Sequence, residues 1–194
     1  MKTMNRIKNN ALKLFTFSFL AISLFSCADD DDATPQQPIS PNDAELITTV
    51  NLEFTDQNQN VSVFSFKDLD GDGGNPPVID TIKLNKNQSY TVSAIFLDES
   101  DPNDVEDITV EILEEDNEHL ICFDIENIDG LTIRRTDSDG TYEVGLASMW
   151  NVSDTAVATN GIVRLTLKHQ PGIKDGSCAP GDTDVEVDFP VIFN

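Results

Sequence analysis

The chain has two histidines, and each sits where it can ligate a metal ion. His119 follows Glu114, Glu115, Asp116 and Glu118. His169 continues the alternation of Val163, Leu165 and Leu167, just before Pro171. A neutral imidazole nitrogen and a carboxylate oxygen are ligands that Zn²⁺ takes in tetrahedral sites. If the segment ending at 119 lies over the strand end at 169, then Glu115, Glu118, His119 and His169 make one Zn²⁺ site. Each histidine also has a plainer reading. An imidazolium at His119 would be favoured by the dipole of a helix ending there. His169, on an apolar face, reads equally as a core residue with a hydrogen bond.

A second cation motif lies upstream. Asp68-Leu69-Asp70-Gly71-Asp72-Gly73 matches the first half of a calcium loop, with Asp68, Asp70 and Asp72 as oxygen donors and Gly73 at the sharp turn. The second half departs from the pattern. The twelfth position, which needs a bidentate Glu, is Ile79, and Pro76 and Pro77 stiffen the approach to it. The same residues read as an exposed Asp/Gly turn between strands. Calcium here would be structural.

No catalytic signature is present: no Gly-x-Ser-x-Gly, no His-Glu-x-x-His, no Cys-x-x-Cys and no phosphate loop. Carboxylate pairs abound, and in so acidic a chain they identify nothing. The expectation is a protein that is not an enzyme.

The N-terminus reads as an address. Met1–Lys13 is basic and Leu14–Phe25 is an apolar run of signal-peptide length, too short to span a bilayer. It ends Leu24-Phe25-Ser26-Cys27, which resembles a bacterial lipobox with Phe25 in place of the usual small residue. Ala28 and the run Asp29-Asp30-Asp31-Asp32 follow. This resembles the signal that sends lipoproteins of Bacteroidetes to the outer face of the outer membrane. It implies cleavage before Cys27, acylation of Cys27 and anchoring in outer-membrane lipid. The expected organisation is a signal peptide over 1–26, an acidic and Pro-rich tether over 27–43, and one folded domain over 44–194. Removing the leader leaves eight bases against 35 acids, a balance of −27. That charge argues against nucleic acid, which is bound through Lys and Arg on phosphates. Cys122 and Cys178 then remain as an even pair outside the cytoplasm. They would close a disulfide, or Cys122 is simply buried in a strand.

The elements that must position these residues are mostly strands. Leu46, Thr48, Val50, Leu52 and Phe54 alternate, as do Tyr90, Val92, Ala94 and Phe96, and Val185 through Phe193. This period of two marks half-buried strands. Shorter runs lie at 61–67, 79–84, 119–125, 131–136 and 144–150. A phase change between Val63 and Phe64 predicts a bulge. Asp-Gly at 72–73, 129–130 and 139–140 and Asn160-Gly161 predict turns between strands. Eight or nine strands in this pattern predict a mainly β fold, an antiparallel β-sandwich of immunoglobulin-like kind. One segment differs. Asp101 at an N-cap, Pro102 at the first turn, and Val105, Ile108, Ile112 and Leu113 at helical spacing predict one acidic helix over about 103–117. Asp98 to Glu118 holds eleven acids and no base, which reads as a solvated face or as a surface for a cation.

Several blocks occur together in order: Lys67–Gly73, Glu106–Thr109, Glu114–His119, Lys168–Asp175 and Thr183–Val191. As a set they resemble a family of small flavobacterial outer-membrane lipoproteins of unassigned function. Members of that family look to be encoded with TonB-dependent outer-membrane receptors. The resemblance implies a surface binding module that helps such a receptor capture a metal ion or metal complex. The alternative is a structural or adhesion lipoprotein with no specific small ligand.

Overall fold

The computed structural model describes residues 46–71 and 73–194. The signal peptide, Cys27, the tether and Asp72 lie outside the described residues. Among the described residues no helix is long and apolar enough to cross a membrane.

Among the described residues nine strands and one helix follow in chain order: β1 (Thr49–Thr55), β2 (Val61–Lys67), β3 (Val78–Ile79), β4 (Ile82–Leu84), β5 (Gln88–Asp98), β6 (Glu106–Asp107), α1 (Ile108–Glu114), β7 (His119–Arg135), β8 (Ala147–His169) and β9 (Asp182–Phe193). The fold is mainly β, as the alternation predicts. The strands form a single curled sheet in the order β3-β2-β1-β5-β8-β9-β4, with β6 on β5 and β7 on β8. All pairs are antiparallel except β4 on β9.

The curl comes from two long strands that serve both layers. The first half of β8 pairs with β5 (Tyr90 opposite Trp150), and its second half pairs with β9 (Leu165 opposite Val187). β7 runs beside β8 along both halves. Between them the ribbon bends. One residue of β7, Gly130, faces four of β8, Ser153 to Ala156. Asn127, Gly130 and Asn160 have φ of 56°, 78° and 51°. The left-handed region suits Gly and is tolerated by Asn, so the Asp129-Gly130 and Asn160-Gly161 signals mark bends inside continuous strands. They do not end hairpins as expected. At Gly130 a Cβ would overlap the Ser153 hydroxyl and lie 2.9 Å from the Ala156 Cα.

Bending the ribbon brings apolar faces together. Trp150, fully buried in one layer, meets Phe54 of its own layer at 5.0 Å and Phe123 of the other at 5.7 Å, both edge to face. Such contacts contribute about 1 kcal/mol each beyond area burial. Val50, Leu52, Phe96, Leu165, Leu167 and Phe189 complete the core.

Three local expectations are corrected. First, β1 and β2 pair without a register shift from Thr49–Lys67 to Thr55–Val61, so there is no bulge at Val63. β2 is an edge strand along most of its length, and Val61 and Val63 point outward at 54% and 49% exposure. Second, the 79–84 run breaks at Asp80-Thr81. β3 stays on β2, and β4 crosses to pair with β9. Third, the helix is α1 alone. Asp101 to Asp104 forms a turn instead, with Asn103 N donating to Asp101 Oδ1 at 2.9 Å. Pairing of Glu106 and Asp107 with Asp98 and Leu97 keeps the approach extended, so the cap is Asp107, which accepts from Thr109 N at 3.1 Å. Ile108 and Ile112 still face the core.

Candidate metal centre

The register of β7 on β8 places His119 directly opposite His169. This is the last rung of the ribbon on its core face, two residues beyond the buried pair Ile121–Leu167. α1 ends at Glu114, five residues before His119, so the turn 115–118 folds over that rung. Glu118 N donates to Glu115 O at 2.8 Å, and Gln170 N donates to Glu118 O at 2.6 Å. The strand end and the helix end are thereby tied together.

The two imidazoles stack with centroids 4.7 Å apart and planes 7° from parallel. His119 is 2% exposed. Burial pushes its pKa down, partly opposed by its bond to Glu115. The ring is therefore neutral at neutral pH, with Nδ1 at 3.1 Å from the Glu115 carbonyl. As Nδ1–H is the donor to a carbonyl, the Nε2 lone pair is left for a cation, the tautomer a backbone carbonyl fixes behind metal-binding histidines. His169 Nε2 is shut off from solvent and has no hydrogen-bond partner. Glu118 Oε2 lies 3.7 Å from it, too far for a hydrogen bond.

Ligand atoms of Glu115, His119 and His169 all fall within 4.8 Å of one another, the one such group among the described residues. Tetrahedral Zn²⁺ with bonds near 2.1 Å needs ligand atoms about 3.4 Å apart. Reaching that spacing requires side chains to turn, the stacked imidazoles included. Two neutral imidazoles with the Glu115 and Glu118 carboxylates would balance a divalent ion's charge. Glu118 joins the site at its edge, so all four expected residues are neighbours, three of them with ligand atoms within 4.8 Å of one another.

Two further features support the site that sequence reasoning missed. Lys174 Nζ donates to the Asp116 carbonyl at 2.6 Å and to Asp139 Oδ2 at 2.7 Å. Its side chain is 3% exposed and that of Asp139 4%. Lys174 holds the Asp139 carboxyl down at about 2, with help from Tyr142 and Thr141 N–H groups. This clamp pins the 115–118 turn from behind. Gln170, fully buried, donates Nε2 to the carbonyls of Ser177 and Pro180, closing the 170–181 loop. Cys122 and Cys178 are joined by a disulfide that fastens the same loop to β7. The available signal was Lys174 itself, a lone base in the Lys168–Asp175 block beyond its first residue. Its partner, 35 residues upstream in an Asp-Gly turn, carries no local mark. A carboxyl at Asp184 also adjoins the site. Burial raises its pKa.

The 68–73 loop is different. Asp70 accepts from Asn75 N at 3.0 Å and Asn75 Nδ2 at 2.6 Å, and Asp68 Oδ1 accepts from Gly71 N at 3.0 Å. These carboxylates stabilise the turn. Among the described residues they gather with no third ligand, and Asp72 lies outside that set.

No protein-family model, no curated protein and no solved structure matches the chain.

Proposed function

We propose that the protein is a non-enzymatic binding module that captures a divalent transition-metal ion, with Zn²⁺ the reference case. The observation that carries this reading is the stacked, cross-strand pair His119–His169, whose ligand atoms lie within 4.8 Å of one of Glu115. A buried, unpartnered imidazole nitrogen is costly to maintain unless something satisfies it. Nitrogen ligands select Zn²⁺, Cu²⁺ or Ni²⁺ over Ca²⁺ and Mg²⁺, which take oxygen. Three protein ligands leave a fourth position open, so the ion can arrive, or leave, with a ligand of its own.

The cellular half of the reading rests on sequence. The lipobox-like Leu24–Cys27, the acidic run after it and the ordered blocks support an outer-membrane lipoprotein, anchored through acylated Cys27 and facing outward. There it would pass metal or a metal complex to a TonB-dependent receptor. Cys27→Ser should abolish labelling by a palmitate analogue, and protease added to intact cells should degrade the wild-type protein. Failure of both would remove the surface assignment and leave the metal site standing.

Binding is tested by melting the metal-stripped protein with Zn²⁺ or Ca²⁺ added back. A ligand at a hundred times its Kd stabilises the native state by about 2.7 kcal/mol. For a domain of this size that raises Tm by about 5–10 °C. Zn²⁺ should do this and Ca²⁺ should not. His119→Ala should remove the Zn²⁺ response. An equal response in that variant refutes the site.

A further inference from the structure

We propose a second ligand site, for a neutral oligosaccharide, in the cavity where the β7–β8 ribbon bends beside β5. Beside the bend, where Gly130 alone faces Ser153 to Ala156, lies a space of about 350 Å³. That lies at the small end of the range for ligand sites, about 300–1,000 Å³.

Its lining has no Asp, Glu, Lys or Arg, in a chain where 24% of residues are charged. A cation would find no carboxylate there, and a phosphate or sugar acid no base. What the cavity offers is amides and hydroxyls: Gln57, Asn87, Gln88, Ser89, Thr132 and Asn151. Ser89, Asn151 and Thr132 form one rung across β5, β8 and β7. Ser89 Oγ donates to Asn151 Oδ1 at 2.6 Å, which fixes the amide and turns its NH₂ group to the ligand. Sugar hydroxyls both donate and accept, as these side chains do.

A smaller space of about 210 Å³ shares Gln57 and Ser89 with the first and reaches Thr91, Met149 and the carboxylate of Asp56 at its rim. The two together suit more than one sugar ring. This site is independent of the metal centre.

The test is calorimetric titration of the purified protein with six-unit glucans, xylans and mannans, with the corresponding free sugars, and with a neutral Gly/Ala peptide. At least one oligosaccharide should bind saturably, and more tightly than its free sugar. Asn151→Ala and Gln88→Ala should each weaken it by at least about tenfold, with Zn²⁺ binding unchanged. Thr132→Val, at an exposed position, should weaken it too and guards against a folding defect. The proposal is overturned if no oligosaccharide binds at about 10 mM, if only the peptide binds, or if all three variants bind like wild type.

Discussion

Replacing Lys174 by Met tests how the metal centre is held. Methionine keeps most of the stem volume and removes the charge. The ammonium now satisfies the Asp116 carbonyl at 2.6 Å and Asp139 at 2.7 Å, with both side chains almost wholly buried. Breaking such a pair from one side costs about 3–5 kcal/mol, because the surviving charge is left without its partner. Asp139 keeps two backbone donors, Thr141 N and Tyr142 N, each at 2.7 Å, so the lower half of that range is expected. The loss must also depend on pH. Asp139 has its folded pKa lowered from 3.8 to about 2. A depressed carboxyl stabilises the fold above its unfolded pKa, and that stabilisation is lost as pH falls toward the folded value. In the wild type this amounts to about 2 kcal/mol at most, lost between about pH 4 and pH 2. In Lys174→Met the main cause of that depression is gone, so this acid-dependent loss shrinks and the acid limb is shallower. Urea unfolding of both proteins from pH 2 to 7 measures this. A loss under about 1 kcal/mol at pH 7, or an unchanged acid limb in the variant, would refute the reasoning. Because Lys174 pins the 115–118 turn, the variant should also bind Zn²⁺ more weakly.

Other perturbations probe the same frame. Replacing Cys122 and Cys178 together by Ala reopens a loop of 56 residues and should cost about 4 kcal/mol in denaturant unfolding. Gly181→Ala puts a Cβ onto the His169 carbonyl at φ +81°. It should lower Tm and weaken Zn²⁺ binding together, and a change in neither contradicts that contact. Asp107→Ala removes the α1 cap and should cost about 1 kcal/mol, with little effect at the metal centre.

The candidate metal centre was legible in the sequence because each part carried a local mark. Val163, Leu165 and Leu167 put His169 on the inward face, and the acidic run placed His119 just past a helix end. Their meeting depended on the β7–β8 register, which two bends shift and which no local residue pattern encodes. The same bends explain the misread turns. Asp129-Gly130 and Asn160-Gly161 have hairpin chemistry, yet each strand continues because its pairing partner bends with it. The helix start was misplaced because the backbone of Glu106 and Asp107 finds a partner in β5, which outweighs a good local cap at Asp101. The clamp from Lys174 to Asp139 was hidden for a related reason. Its two ends lie in loops whose approach is set by the disulfide and by Gln170, both long-range features.

Zinc K-edge absorption of the protein loaded with one equivalent of Zn²⁺ tests the metal centre most directly. The account predicts two imidazole nitrogens and one or two carboxylate oxygens at about 2.0–2.2 Å, with one imidazole lost in His169→Ala. An all-oxygen shell, or a spectrum unchanged by that substitution, would contradict it.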